Sequence, residues 1–352
     1  MTSKRIYILG IIFLLSIIYF ESAESQTSTK KRRALVIGLD GATGSIVHKR
    51  VWKDKKAPTL QELMTLGKNA PCLHDQRDSC ARAHSGPIHD TNFYWKTGPG
   101  WASVLSGADS LNHRVKNNGH EYLQTFSEST KNYPSFFKRA KDARLKTAAA
   151  GVPAFISGNG DKGIEFGVTD YECGLHGNGP NVDINATESC NLDFRKSLDH
   201  RDSGRDEKLT RWLIDHINNS SVDILMGVYD RIDEVGHDNG FDGNKKYLNV
   251  ITETDTLIGR VIRALKSRVR YQNEEWLVIT TADHGGHRII LWGDHGRFAN
   301  QDNAIPFVVT VFGSNVNLAD LRYPVTHMDV HPTVMHWFGM SSPQANGKIQ
   351  GL

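Results

Sequence analysis

Aspartate and histidine residues follow short apolar runs of this 352-residue chain. Asp40 comes directly after the apolar residues 34–39, and the adjacent pair Asp283 and His284 comes just after residues 275–281. Carboxylate oxygens and imidazole nitrogens together are ligands that suit zinc, with manganese or iron as alternatives. These residues therefore predict a metal centre at the ends of two buried elements.

A second set of metal-ligand residues lies after another apolar run, residues 223–229. Asp233 and His237 are four residues apart, with Gly236 expected to let the chain turn tightly, and His295 lies further along the chain. Taken singly, a strand-terminal Asp-Gly usually marks a turn, and an aspartate four residues before a histidine is a common surface spacing. Their joint occurrence, in order and after apolar runs, is what favours metal binding.

The apolar runs are short and unbroken, as expected for parallel strands buried on both faces. Patterns of helical period lie between them, the first of which, residues 58–64, has a capping-box pattern. This alternation predicts an α/β fold, a three-layer α/β/α sandwich with a mostly parallel central sheet. The ligand crevice of such a sheet lies outside the carboxyl ends of its strands. The predicted strands are residues 34–39, 147–152, 223–229, 275–281 and 306–312, and the predicted helices include residues 58–64, 205–217 and 244–269.

Thr97 is the candidate nucleophile, because it stands where a loop enters a short predicted helix at residues 102–107. A hydroxyl at a helix N-terminus lies among free amide donors at the positive end of the helix dipole, and a nearby metal lowers its pKa. The alternative is that Thr97 only caps this helix.

These residues resemble the ordered motifs of the alkaline phosphatase superfamily, most closely its type I phosphodiesterase and nucleotide pyrophosphatase branch. The resemblance extends over roughly residues 33–340. It rests on Asp40-Gly41, Thr97-x-Pro99, Asp233-x-x-Gly236-His237, Asp283-His284-Gly285 and His295-Gly296, with weaker agreement at residues 113–115 and 328–333.

The resemblance implies an alkaline phosphatase-like fold and two divalent ions, for which zinc is expected. It implies in-line attack by Thr97 on phosphorus, a phosphothreonine intermediate and hydrolysis by water. Asn118 would donate to a phosphate oxygen, a role for which Asn117 competes. The implied ligands are Asp40, Thr97, Asp283 and His284 around one ion, and Asp233, His237 and His295 around the other.

One departure from the branch concerns substrate. Nucleotide-cleaving members carry an aromatic residue directly after the nucleophile, whereas this chain has Gly98. Tyr94 or Trp101 could stack on a base instead, although Trp101 is more typical of core packing.

His287 could reach the substrate or support the metal ligands, although a surface role is the more ordinary one. The segment at residues 80–82 lacks the sulfatase motif.

The substrate expected is a small or lipid-linked phosphate ester, most favourably a diester. Two alternatives remain open: hydrolysis of phosphomonoesters or phosphonates at the same site, and a catalytically silent secreted binding or matrix protein. The net charge of +3 gives no indication of a nucleic-acid-binding surface.

The N-terminus predicts export. Residues 1–25 combine basic residues, an apolar run and small residues, as in a signal peptide, with an uncleaved membrane anchor as the alternative and no stable membrane span expected. Residues 26–33 are expected to be a flexible basic lead-in, in which 30–33 are a solvated charge run. The metallohydrolase domain is expected at residues 34–345, with a loop-rich insertion at about 153–204.

Cysteines and sequons agree with export. The four cysteines form two close pairs, for which bridges Cys72 to Cys80 and Cys173 to Cys190 are expected, although other connectivities or free thiols remain open. Glycosylation sequons lie at Asn185, Asn218 and Asn219, the last two overlapping.

Overall fold

The computed structural model describes residues 30–72, 80–83, 95–115, 132–151, 171–174, 204–296 and 300–352, with only the backbone at 171–174. The strands, numbered along the chain, are β1 Lys31–Leu39, β2 Lys68–Asn69, β3 Ala81–Arg82, β4 Thr147–Gly151, β5 Tyr171–Gly174, β6 Ile224–Tyr229, β7 Glu274–Thr281, β8 His287–Ile289, β9 Trp292–Asp294, β10 Ala304–Ile305 and β11 Phe307–Phe312.

A seven-stranded sheet forms the centre of the fold, in the order β2, β11, β7, β1, β6, β4, β5. Strand β6 pairs in parallel with both β1 and β4, and β5 extends the parallel part at the edge. Strand β11 is antiparallel to β7 and to β2. The sheet is therefore mostly parallel, as predicted. The backbone of β5 lies within the segment expected to be a loop-rich insertion.

All five predicted strands are present, because most residues of each apolar run are buried. Residues 34–39 of β1, the whole of β6 and residues 276–281 of β7 are buried. A strand that packs on both faces has no need to alternate apolar with polar residues. The unbroken runs therefore indicated central strands correctly.

The helices, numbered along the chain, are α1 Gly44–His48, α2 Pro58–Leu66, α3 Thr97–Ser106, α4 Ser110–His113, α5 Phe136–Asp142, α6 Arg205–Asn219, α7 Arg231–Asn239, α8 Lys245–Ser267, α9 Asn300–Asn303 and α10 Val330–Trp337, with a π-helical segment Lys49–Lys53 and 3₁₀ turns Tyr271–Asn273 and His327–Asp329. Their mutual contacts define two groups. In the first, α8 contacts α2, α6 and α7, and in the second, α10 contacts α3 and α5. Strand β4 contacts both α5 and α6, one helix from each group.

The predicted capping box of α2 is not formed. Ala57 occupies the N-cap, and no side chain of this segment caps the helix. The carboxylate of Asp255, from α8, instead accepts hydrogen bonds from the amides of Thr59 and Leu60 at 3.1 and 2.7 Å. A cap from a distant helix satisfies the same amides, and it also fastens α2 to α8.

The prediction that residues 30–33 form a solvated charge run is wrong for Arg33. Arg33 lies inside β1 and is 2% exposed. Its Nε donates to Oε1 of Glu274 at 2.8 Å, and Nε of Arg268 lies 2.9 Å from Oε2 of the same carboxylate. The indole of Trp276 also donates to Oε2. A buried charge is retained here because a counter-charge on another strand meets it.

Replacing Glu274 with alanine is expected to lower the free energy of unfolding by about 3–5 kcal/mol, because two buried guanidinium groups would lose their counter-charge. Urea denaturation of the purified protein measures this. The adjacent Glu275→Ala is the matched control: its side chain is 19% exposed and lies 3.9 Å from the half-exposed Arg32. That change should cost less than about 1 kcal/mol. Equal losses in the two variants would contradict the prediction.

The structure contains the predicted bridge between Cys72 and Cys80. The predicted signal peptide, the bridge between Cys173 and Cys190, and Asn185 lie outside the described side chains. Asn218 and Asn219 lie exposed at the end of α6.

Among the helices of the described residues, none is both long enough and apolar enough to cross a bilayer.

Candidate metal centre

The candidate ligands meet at one edge of the sheet because the loops after β1, β6 and β7 converge there. Asp40 directly follows β1, and Asp283 follows β7. Gly41 has φ +68°, and a Cβ at this position would lie 2.5 Å from Oδ1 of Asp233. Glycine is therefore required after Asp40 both for the turn and for the close approach of the chain to Asp233.

The first cluster consists of Asp233, His237 and His295. Asp233 lies in the first turn of α7 and His237 in its last turn, so the helix presents both on one side. Nε2 of His237 lies 3.2 Å from Oδ2 of Asp233, and Nε2 of His295 lies 3.8 Å from Oδ1. Gly236 lies inside this helix and not at the tight turn expected, and its small size admits the ring of Phe241.

The second cluster consists of Asp40, Asp283, His284 and Thr97. Nε2 of His284 lies 3.5 Å from Oδ1 of Asp40 and 3.3 Å from Oδ2 of Asp283. The hydroxyl of Thr97 lies 3.3 Å from the same nitrogen. Asp233 also belongs here, since its carboxylate and the ligand atoms of Asp40 and His284 lie within 4.8 Å of one another. The two clusters therefore share Asp233.

Three buried carboxylate oxygens in the two clusters have no hydrogen-bond partner among the described residues. They are Oδ1 of Asp40, Oδ1 of Asp233 and Oδ2 of Asp283. A buried carboxylate oxygen without a donor is costly, and a cation is the natural compensation for several of them together. The residues therefore fit divalent metal ions.

The orientation of the histidine rings also indicates a metal site. Nδ1 of His237, His284 and His295 lies 3.2, 2.7 and 2.9 Å from the carbonyl oxygens of Gly293, Gly285 and Trp95. A carbonyl oxygen only accepts, so each Nδ1 carries a proton, and Nε2 is the ring atom that can bind a cation in place of a second proton.

Nε2 of His237 and Nε2 of His295 lie 3.1 Å apart. With both Nδ1 atoms protonated, two lone pairs would face each other at this distance. A proton or a cation between them removes that repulsion. Zinc binds imidazole nitrogen at about 2.0–2.1 Å, which suits a shared ion between two such atoms.

The electrostatics of the site favour added positive charge. Burial, together with the charges of Asp283 and Asp233, raises the pKa of Asp40 well above its usual value, and burial with the charge of Asp233 does the same for Asp283. The pKa of His237 rises to about 9, because its hydrogen bond and ion pair with Asp233 outweigh the effect of burial. Burial lowers the pKa of His284 and of His295.

Thr97 is the first residue of α3, with Lys96 at the N-cap, so its position at a helix entry is confirmed, although the helix begins at Thr97 and not at the predicted residue 102. The capping alternative does not hold, because Thr97 lies within the helix and no side chain caps it. Thr97 is 8% exposed. Its hydroxyl thus faces the second cluster from the N-terminus of a ten-residue helix.

Two residues that support the site had no clear signal in the sequence. Trp101 is fully buried, as the core-packing interpretation expects, and its indole also donates to Oδ2 of Asp40 at 3.1 Å. Asp302 is fully buried and accepts from the amide of Gly296 at 2.9 Å. Its other oxygen lies 2.7 Å from Nδ1 of His287. His287 is therefore bonded to a residue that supports the loop carrying His295.

Asn118, its competitor Asn117 and Tyr94 lie outside the described residues. Seven of the eight candidate site residues are thus brought together by the structure, and Asn118 stays a prediction.

The profile of the type I phosphodiesterase / nucleotide pyrophosphatase family matches residues 34–314. The chain belongs to this family, and its fold is that of the alkaline phosphatase superfamily. The structure of murine ectonucleotide pyrophosphatase / phosphodiesterase 5 is similar at 15% identity and a TM-score of 0.58, covering 90% of this chain and 98% of that one. A lipoteichoic acid synthase from Listeria monocytogenes is similar at 15% identity and a TM-score of 0.56, covering 92% and 74%. At these identities the likeness shows the fold alone.

Two curated relatives match parts of the chain. A 2,3-bisphosphoglycerate-independent phosphoglycerate mutase from Colwellia psychrerythraea is 29% identical over 136 residues, 39% of this chain and 24% of that protein. The multifunctional alkaline phosphatase superfamily protein of Trinickia caryophylli is 30% identical over 105 residues, 28% and 19%. The matches thus cover at most about a quarter of the length of these curated relatives.

Proposed function

We propose that the protein is a metal-dependent phosphoric ester hydrolase that cleaves phosphodiesters with Thr97 as nucleophile. One observation carries the proposal: three buried carboxylate oxygens without a partner among the described residues lie in the two histidine-containing clusters, and the helix-terminal hydroxyl of Thr97 lies 3.3 Å from Nε2 of His284. Family membership supports the reaction class.

Two divalent ions, for which zinc suits the mixed oxygen and nitrogen ligands, would supply positive charge that lowers the pKa of the Thr97 hydroxyl and stabilises charge on the phosphate oxygens. The proposed ligands are Asp40, Thr97, Asp283 and His284 for one ion, and Asp233, His237 and His295 for the other.

Thr97 attacks phosphorus in line with the leaving oxygen. A bond from its Oγ1 to phosphorus forms as the bond from phosphorus to the leaving oxygen breaks; the Thr97 hydroxyl loses its proton and the leaving oxygen gains one. The product is a phosphothreonine that still carries the second ester group of the diester. Water then attacks the same phosphorus, and the Thr97 oxygen leaves and regains a proton. In this proposal the phosphate lies at the positive end of the α3 dipole, because Thr97 is the first residue of that helix, and this end of a helix favours an anion.

Two observations bear on the kind of phosphate ester that the protein cleaves. Gly98, in the first turn of α3, has no ring that could stack on a nucleotide base, so small or lipid-linked diesters are favoured over nucleotides. The murine relative was solved in an inactive threonine-to-alanine form in complex with AMP, which supports a threonine-dependent phosphate site in this fold.

Export from the cell is proposed as well, supported by the leader-like residues 1–25 and by the bridge between Cys72 and Cys80. N-terminal sequencing of protein collected from culture medium tests it, with a start near Gln26 expected. A start at Met1 would contradict cleavage.

The purified protein is expected to contain about two zinc ions per chain and to hydrolyse bis(p-nitrophenyl) phosphate in a chelator-sensitive reaction. Elemental analysis and the absorbance of released p-nitrophenol measure the two quantities. Zinc restored after chelation should restore turnover. A preference for p-nitrophenyl phosphate would favour the monoesterase alternative, and bound metal without turnover on a broad panel of esters would favour the silent binding protein. Absence of metal would contradict the central proposal.

A further inference from the structure

The N-terminal half of α3 contacts three of the proposed metal ligands. The hydroxyl of Thr97 lies 3.3 Å from Nε2 of His284. A Cβ on Gly100 would lie only 2.7 Å from Cβ of Asp283, so the helix backbone packs directly against that residue. Trp101, one turn after Thr97, donates from Nε1 to Oδ2 of Asp40 at 3.1 Å. The helix that carries the nucleophile is thereby aligned with one ligand cluster.

The indole of Trp101 occupies a close-fitting slot against β1. Its exposure is 0%, and a Cβ on Gly38 would lie 2.4 Å from Cη2 of the ring. The absence of a side chain at Gly38 is therefore what admits the indole. In this slot the ring N–H reaches the carboxylate of Asp40, two residues further along the chain.

The hydrogen bond distinguishes the two oxygens of Asp40. Oδ2 accepts from Trp101, whereas Oδ1 is buried without a partner among the described residues and lies 3.5 Å from Nε2 of His284. A carboxylate held by one oxygen cannot rotate freely about its Cβ–Cγ bond. The other oxygen therefore stays directed at the cluster.

We propose that Trp101 is a positioning residue, which orients Asp40 for metal binding and fixes the distance between Asp40 and Thr97. The inference rests on the proposed function, since it assigns Asp40 to a metal ion. Partners of metal ligands commonly contribute about 10–100-fold to metal affinity.

Trp101→Phe removes the N–H and keeps most of the apolar ring. Zinc affinity of the metal-free protein, measured by competition with a chromogenic chelator, should fall about 10–100-fold at one site. The matched control is Trp337→Phe: Trp337 is 3% exposed and donates from its indole to the carbonyl oxygen of Arg33 at 2.8 Å. This control also loses one buried indole hydrogen bond, but its zinc affinity should stay unchanged.

Wild-type zinc affinity in Trp101→Phe, or an equal loss in Trp337→Phe, would overturn the positioning role. If the wild type itself binds no zinc, the proposed function fails first. A second measurement needs no folded variant. In the wild-type protein labelled with ¹⁵N-tryptophan, zinc should shift the indole N–H resonance of Trp101 and leave that of Trp337 in place. An unshifted Trp101 resonance in zinc-loaded protein would also overturn the inference.

Discussion

Replacing Thr97 with alanine is expected to reduce hydrolysis of bis(p-nitrophenyl) phosphate by at least about 10⁴-fold, with zinc still bound. The first effect arises because the attacking oxygen is removed, and loss of a nucleophile costs on the order of 10⁴–10⁶-fold in other hydrolases. The second arises because Asp40, Asp283 and His284 remain to hold the ion at this position. Elemental analysis and steady-state kinetics on one preparation measure both quantities.

The matched variant is Thr97→Ser, which keeps a hydroxyl at the start of α3. It should retain turnover within about 100-fold of the wild type, since only a methyl group is lost. A wild-type sample quenched in acid during turnover of bis(p-nitrophenyl) phosphate should contain Thr97 esterified to p-nitrophenyl phosphate, identified by mass spectrometry after proteolysis. Turnover of Thr97→Ala above the background of an inactive preparation would remove Thr97 from the mechanism. Loss of zinc in the alanine variant would show that the hydroxyl is needed as a ligand.

The sequence was most informative about the strands and about the residues at their carboxyl ends. Unbroken apolar runs predicted β1 and β7 because both are buried on two faces, and their carboxyl ends bring Asp40 and Asp283 to the same edge of the sheet. The four-residue spacing of Asp233 and His237 corresponds to one turn of α7. Local patterns of this kind depend on period and order, both of which can be read from a single chain.

Contacts between distant residues were not predictable. The cap of α2 comes from Asp255, and the counter-charge of Arg33 comes from Glu274. Trp101 and Asp40 are 61 positions apart, and neither residue type indicates the other as its partner. Asp302 lies in a short polar helix and has no feature that distinguishes it from a surface aspartate. Burial of a polar group is decided by the partner it meets, which the fold supplies and local sequence does not.

Replacing Asp233 with asparagine is expected to lower both bound zinc and hydrolysis strongly, because this carboxylate belongs to both clusters. Its Oδ2 lies 3.2 Å from Nε2 of His237, and its Oδ1 lies 3.8 Å from Nε2 of His295. Asparagine has a similar shape but no charge. The metal ions at both proposed positions would therefore lose a negative charge that stabilises them. Bound zinc should fall at both positions, and hydrolysis should fall on the order of 10³-fold, the scale of losing one preorganised electrostatic group.

Glu234→Gln is the matched control for this change, since it neutralises the adjacent carboxylate of α7. Glu234 pairs with Arg231 at 3.1 Å and lies in neither cluster. Its zinc content and turnover should equal those of the wild type. If Asp233→Asn lost only one zinc ion and bound the other with wild-type affinity, Asp233 would be a ligand of one metal ion only. Oδ1 of Asp233, which has no partner among the described residues, would then be compensated by the positive charge of His237, whose pKa is raised to about 9, and not by a second ion.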